Sequence, residues 1–276
     1  VPEDFGGRVR SDRSAPVQFL IDGSEANTAT IALGYAESLV SGYSGDLEVR
    51  WAREKGLQGI RPPLDVRSRV WFNADLESRN FIVPGLISVI MMIIAALLTS
   101  LTVAREREQG TMEPLLATPV TGPELILGKL LPYFFVGMAD VAVAVGMGTF
   151  LFQVPFRGSL PLLFGFAAVF LAGALSLGML FSVAARTQLP ASQMAMAFTF
   201  LPSYLLSGFV FSIDSMPPLA RAVTYLVPAR YFVKAIKGIW LKGVGLGTLA
   251  VEAALLLAFA GGTILAATRT FRKKLR

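Results

Sequence analysis

Neither cysteine nor histidine occurs among the 276 residues, and only 16% of them are charged. Without those two residue types there is no Ser-His-Asp or Cys-His nucleophile, no His/Cys zinc centre and no disulfide framework. The redox compartment is equally unreadable. An ordinary soluble domain carries about 25% charged residues, so the scarcity of charge excludes that class for most of the chain, 54% of which is hydrophobic. The charge present runs basic, 25 Lys+Arg against 19 Asp+Glu, and it is unevenly placed. Residues 1–81 hold 10 Lys+Arg and 12 Asp+Glu, which leaves 15 and 7 for residues 82–276. The basic excess therefore flanks long apolar runs, as the positive-inside bias requires, whereas a nucleic-acid binder gathers cations on a soluble face. No nucleic-acid partner is expected.

Five runs are long enough to cross about 30 Å of hydrocarbon. Residues 82–104 are uncharged, 130–152 contain only Asp140, 158–185 and 187–213 are uncharged on either side of Arg186, and 243–268 contain only Glu252. The expected fold is a polytopic α-helical membrane protein, residues 82–276, with spans at about 82–104, 130–152, 160–185, 191–213 and 245–268. The first span begins 81 residues in and is not a cleaved signal peptide. Placing 105–129, Arg186 and the tail (Arg269, Arg272, Lys273, Lys274, Arg276) in the cytosol collects nine short-segment cations there. Six remain outside: Arg157, Arg221, Arg230, Lys234, Lys237 and Lys242. The C-terminus is then cytosolic and residues 1–81 extracytoplasmic.

Residues 1–81 read as a small mixed α/β unit. Val17 to Ile21 is a strand candidate, ended by Asp22-Gly23-Ser24, whose polar side chains suit the cap of a following helix. Ile31, Tyr35 and Leu39 give that helix an apolar stripe. Leu47, Val49 and Trp51 alternate with polar neighbours, as do Val66, Val70 and Phe72, and both read as strands. So few elements bury little apolar area, and partner elements are expected to precede Val1.

Between the first two spans, residues 105–125 form a polar loop with structure of its own. Arg105-Glu106-Arg107-Glu108 continues the first helix into water, Gly110 can end it, and Thr121 with Glu124 makes a capping box for the next helix. Met112 to Thr118 can form a short helix with Leu115 and Leu116 on one side, suited to a groove on another protein. The alternative is a polar connector between antiparallel helices. The run from Gly122 through Gly128 and Lys129 to Leu130 only imitates a phosphate-binding loop: five residues separate its glycines where four are needed, and Leu130 stands where Ser or Thr must follow Lys. The chain is therefore not expected to hydrolyse ATP, and no metal or other cofactor is expected.

Asp140 and Glu252 are the only acids in the spans. A mid-membrane carboxylate costs about 2.5–3.5 kcal/mol on insertion scales, so Asp140 should face the bundle interior or a water-filled path. A structural acid and a role in a cationic-substrate path are both open, and the same holds for Glu252. Residues 214–242 are too basic and too often interrupted by Pro217, Pro218 and Pro228 to span. They read as two short amphipathic pieces at the interface, with Arg230, Lys234 and Lys237 on one face meeting lipid phosphate. Glycines 165, 173, 178, 208, 261 and 262 permit close helix approach.

Several ordered motifs resemble one family. The stretch from Val103 to Pro119, VAREREQGTMEPLLATP, followed by ELILGKLLP from Glu124 to Pro132, is similar to the hallmark loop of type-2 ATP-binding-cassette exporter permeases. SGFVFSI at 207–213, Met216-Pro217-Pro218 and PARYF at 228–232 resemble that family's fourth-span exit and outer hairpin. VQFLIDGS at 17–24 and RNFIVPG at 79–85 resemble the subgroup with a large extracytoplasmic domain, similar to bacterial multidrug and daunorubicin-type exporters. The resemblance implies six spans, of which this chain shows five, lacking the first span and the first part of the outer domain. It implies a bacterial inner-membrane location, a second permease copy, a separate ATPase that binds the ATP, contact with lipid, and room for a periplasmic adaptor. It assigns ATPase coupling to Arg105, Glu106, Arg107, Glu108, Gly110, Thr111, Glu113, Leu115 and Leu116, and makes 214–242, with Pro217, Pro218, Pro228 and Arg230, a re-entrant outer hairpin.

The function expected is the permease subunit of an ATP-driven exporter of amphipathic small molecules, drugs or lipid-like compounds. Two other classes compete: an ion-coupled carrier using Asp140 and Glu252, and a non-transporting anchor whose outer domain binds a ligand or adaptor.

Overall fold

The computed structural model describes residues 15–24, 26–55, 64–71, 77–112, 119–185 and 187–270. Two compact units divide at Phe81 and Ile82. In the first, β1 (Ala15–Asp22) and β2 (Leu64–Trp71) pair in parallel with Val17 opposite Val66 and Ile21 opposite Val70. A parallel pair needs a long crossover, and α1 (Ala26–Lys55) supplies it. Asp22 ends β1 by accepting the Ser24 N–H at 3.0 Å, the local turn that an Asp-Gly-Ser sequence favours.

The helix overturns one expectation. Leu47, Val49 and Trp51 are helical, not a strand. Ile31, Tyr35, Leu39, Tyr43, Leu47 and Trp51 recur every four residues, and that longer period outweighs the local alternation of the last three. The stripe is also not what packs on the sheet. Ala29, Ala36 and Ser44 are buried, while Tyr35 and Leu39 are 69% and 73% exposed. Phe72 lies outside the described residues.

The second unit is a helical bundle. Among the described residues, four helices are long and apolar enough to cross a membrane: α2 (Ser78–Glu108), α3 (Gly122–Gly146, extended by a π turn at Met147–Leu151), α4 (Leu160–Ala184) and α8 (Ala250–Thr270). The run expected to span at 191–213 is helical only over α5, Gln188–Leu206. Gly208 sits at φ +79° just beyond, a left-handed conformation that ends the helix. With Gln188, Gln193 and Pro202 in its length, α5 is not among the four. Between α5 and α8 lie α6 (Pro218–Thr224) and α7 (Pro228–Lys237), each opened by a proline where a missing N–H costs nothing.

Helix α4 is the centre of the unit: thirteen of its 25 residues are buried, against four of 25 in α3. Small residues let its neighbours approach. On α4, Gly178 faces α2 so closely that a Cβ there would lie 2.2 Å from both the Ala96 carbonyl oxygen and Thr99 Oγ1. Thr99 donates across this seam to the Leu175 carbonyl at 2.8 Å, and the Val103 and Ala104 N–H groups reach Ser182 Oγ at 2.9 and 3.0 Å. Gly173 makes the corresponding approach to Phe259 and Ala260 of α8. Of the six glycines expected to act this way, these two do. A Cβ at 165, 261 or 262 would meet nothing within 4 Å, and Gly208 serves a turn.

Overpacking of this kind costs about 1–3 kcal/mol. Gly178→Ala is expected to lower the thermal unfolding midpoint of the purified full-length protein, with Gly165→Ala leaving it unchanged; equal midpoints would mean that the α2–α4 seam yields freely.

Candidate functional site

The charged run 105–108 forms the last turn of α2. Helix α2 runs unbroken to Glu108 and stops in a Schellman turn: Gly110, at φ +72°, donates to the Arg107 carbonyl at 3.2 Å, and Thr111 donates to that of Glu106 at 3.0 Å. Only glycine takes this position without steric cost. Helix α3 then starts in a capping box at Thr121, whose N–H donates to Glu124 at 2.8 Å. Met112 is buried in the bundle core. Glu113, Leu115 and Leu116, on the expected short helix, lie outside the described residues.

The charged run engages its own bundle. Arg107 Nη1 donates to the carbonyls of Val183 at 2.7 Å and Ala185 at 3.3 Å, at the C-terminus of α4. Glu108 accepts the backbone N–H of Gln188 and its side-chain amide, both at 3.0 Å, at the N-terminus of α5. Thr187 makes no side-chain cap there, so Glu108 supplies the cap from another helix. The signs follow the backbone dipoles, a cation at the negative end of α4 and an anion at the positive end of α5. Glu106 forms an ion pair with Lys129 of α3, both side chains largely buried. Arg105 is exposed. Three of the four charges thus tie the end of α2 to α3, α4 and α5 instead of pairing with one another.

Glu108 and Glu124 lie beyond the apolar runs. Hydrogen bonds from Gln188 hold the Glu108 carboxyl below the ordinary carboxylate range, and bonds from Thr121 do the same for Glu124. Both anions persist to lower pH than free carboxylates.

The two acids of the spans occupy different settings. Asp140 is exposed on α3, so it does not face the interior of this bundle as one arm of the expectation had it. Glu252, at the start of α8, is buried and forms an ion pair at 2.5 Å with Lys234 of α7.

The cations of α7, expected to face lipid phosphate, each have a partner in the protein, while the Lys234 side chain stays 71% exposed. Arg230 lies 3.8 Å above the centroid of the Tyr225 ring and bonds Thr224. Lys237 is buried and donates to the Gly208 carbonyl at 3.3 Å. The apolar face of α7 packs inward, with Phe232 stacked on Phe170 of α4 at 4.2 Å. Sequence reasoning assigned nothing to Trp240, yet its side chain is wholly buried, edge-on to Phe156 at 5.5 Å, with Gly148 leaving room for it. No local pattern marks it, because its neighbours come from the distant α3–α4 connection.

Contacting pairs of this kind show coupling energies of roughly 0.5–3 kcal/mol in double-mutant cycles. Glu106→Gln and Lys129→Gln are each expected to destabilise the full-length protein, and the double variant should fall short of their sum by an amount in that range. Strict additivity in thermal unfolding would rule the pair out as a link between α2 and α3.

The sequence matches the family described as "ABC-2 family transporter protein" over residues 1–269. It is 45% identical over 244 residues to the Escherichia coli K12 protein named "Probable multidrug ABC transporter permease YbhS", covering 88% of this chain and 63% of that protein. It is 33% identical over 275 residues to "Probable multidrug ABC transporter permease YbhR" of the same strain, covering 99% of this chain and 72% of the relative. Identity to the "Inner membrane transport permease YhhJ" is 26% over 280 residues, with 99% and 72% covered. The chain thus spans about 63–72% of the length of these relatives. With its apolar helices and a family match along nearly its full length, the chain belongs to the ABC-2 family of membrane transport proteins.

Proposed function

We propose that this chain is part of the permease subunit of an ATP-driven exporter, working as two copies around a central path with a separate ATPase beneath. The observation that carries the coupling step is the bonding of residues 106–108. A displacement of the 105–121 connection is delivered at once to α3 through Glu106–Lys129, to the end of α4 through Arg107 and to the start of α5 through Glu108. Arg105, Gly110, Thr111 and Glu113, with Leu115 and Leu116, form the face offered to the ATPase. ATP binding favours one arrangement of the subunits over the other, and that differential affinity drives the alternation. The cytosol holds this connection and the C-terminus; residues 1–81 lie outside the inner membrane, where an adaptor could meet them, and 214–242 closes the path from outside as a re-entrant hairpin.

The relatives named as multidrug permeases support amphipathic drugs or lipid-like compounds as substrates. Asp140 fits a cationic subset. Exposed on the single bundle, its carboxylate is costly against lipid, and a second copy or a water-filled path relieves that cost. Glu252 fits poorly as a proton site of an ion-coupled carrier, since Lys234 already holds it.

The deciding measurement pairs the full-length protein with its ATPase in proteoliposomes. Substrate-stimulated ATP hydrolysis and ATP-dependent accumulation are expected, whereas transport that survives without the ATPase and collapses with the proton gradient would establish the carrier instead. Asp140→Asn should reduce export of cationic substrates on the order of tenfold, equivalent to about 1.4 kcal/mol, with neutral ones spared. Equal losses for both classes would remove Asp140 from the path.

A further inference from the structure

The far end of α3 is built differently from the end at the charged run. Its last turn is the π turn Met147–Leu151, and α7 runs into a second π turn, Gly238–Lys242. Such turns insert one residue into the helical register and recur at functional sites. Here the two pack against each other. A Cβ on Gly148 would lie 2.7 and 2.8 Å from two carbons of the wholly buried Trp240 ring and 3.2 Å from Val83 Cγ1 of α2. The ring thus rests on bare backbone, with no room for another side chain. Its indole N–H finds no acceptor among the described residues, so shape and not hydrogen bonding seats it.

The chain beyond closes over the same seat. Gln153, at φ +53°, takes a left-handed conformation that strains a residue with a Cβ, and the Val154 N–H donates back to the Gly148 carbonyl at 3.0 Å. Phe156 then lies edge-on to the Trp240 ring, and the Arg157 N–H donates to the Trp240 carbonyl at 2.9 Å. A Cβ on Gly158 would collide with the Ile239 carbonyl, and one on Gly243, at φ +65°, would lie 2.9 Å from the Arg157 carbonyl oxygen. Backbone therefore meets backbone where residues 157–158 cross residues 239–243, and a change of rotamer does not loosen contacts of that kind.

We propose that residues 147–158 and 238–243 form one rigid unit keyed by Trp240, and that Trp240 is a positioning residue of transport because this unit makes the outer hairpin follow α3. The second half rests on the exporter reading. Three features favour α3 over α4 as the element that the end of the hairpin follows. Helix α3 buries only four of its 25 residues, so it is the freer span. The links from α7 to α4 and α8 are side-chain contacts, Phe232 on Phe170 and Lys234 on Glu252, which a small slide remakes, whereas the clamp at 238–243 is backbone on backbone. The strain at Gln153 is kept where that clamp closes, as strain is wherever the surrounding structure over-determines it.

Hydrogen–deuterium exchange of the full-length protein tests the unit without any ATPase. Gly148→Ala drives a methyl into the ring, and exchange should rise on the order of tenfold in both 147–158 and 238–243, with 171–179 of α4 unchanged. Trp240→Phe removes volume without removing a hydrogen bond and should raise the same two segments together, which keeps the test if Gly148→Ala fails to fold. A rise confined to one segment, or none in either variant, would overturn the unit. Transport is then read as drug exported per ATP hydrolysed, with the ATPase in proteoliposomes. Trp240→Phe should lower that ratio on the order of tenfold, because hydrolysis continues while the hairpin lags. A residue that only fills space would slow both rates in proportion, and an unchanged ratio would remove the positioning role. If the unaltered protein shows no ATP-dependent export, the exporter reading falls and the positioning role with it, while exchange still decides the unit.

Discussion

A helix that ends at the edge of the hydrocarbon leaves carbonyls and N–H groups without intrahelical partners, and the bundle depends on how those groups are satisfied. Thirteen of the 25 residues of α4 are buried, so its C-terminus is where failure would matter most. There the chain must turn from α4 into α5 within the three residues 185–187. Arg107 takes the last carbonyls of α4 and Glu108 the first amides of α5. Two consecutive side chains of opposite sign thus stabilise two helix ends of opposite polarity. The turn is held by α2 rather than by its own caps, since Thr187 makes none.

With that end fixed, the rest of the packing follows from small residues and hydroxyls. Across the α2–α4 seam Thr99 donates to the Leu175 carbonyl and Ser182 accepts from the Val103 N–H, where Gly178 lets the backbones approach. Within a membrane such contacts contribute directly, because helix association there has no hydrophobic driving force. The opposite end uses another device. Buried Phe232, Ile236 and Trp240 dock α7 and the π turn that follows it, Gly238–Lys242, into the bundle, and the Lys234–Glu252 pair ties the same segment to α8. The acid in the last apolar run therefore has a local structural use.

How much of this could be read in advance depends on the range of the interaction. The apolar runs ending near Glu108 and beginning near Leu160, the stop at Gly110 and the box at Thr121 and Glu124 are legible, because each is decided within a few residues. The helix through Leu47 and Trp51 was hidden by a short alternation, and only the four-residue period from Ile31 onward reveals it. The charges at 106–108 stand out as charges, but their direction does not. Their partners lie 76 to 80 residues away for Arg107 and Glu108, and nothing local says which helix ends will arrive beside them. The same limit hid the partners of Glu252 and Lys237 and the burial of Trp240. The exposure of Asp140 followed from which face of α3 meets α4, a question its nearly all-apolar sequence leaves open.

These two kinds of fastening imply unequal freedom among the spans. Helix α4 is gripped along its length by α2 and α8, with α7 at one end. Helix α3 buries only Ile126, Leu130, Val141 and Val145, and its face bearing Phe135, Val143 and Phe150 is open. Yet α3 is joined to the charged run through Lys129, about two turns into the helix. A load applied at residues 105–121 therefore reaches the most firmly held span and the most loosely held one through adjacent side chains. The firm span can serve as the fulcrum and the loose one as the lever. Asp140 sits about three turns beyond Lys129 on that lever, far enough along for a small tilt at the charged end to become a displacement at mid-membrane. On the exporter reading, this leverage is how a push from a separate ATPase would reach the path without repacking the seam between α2 and α4.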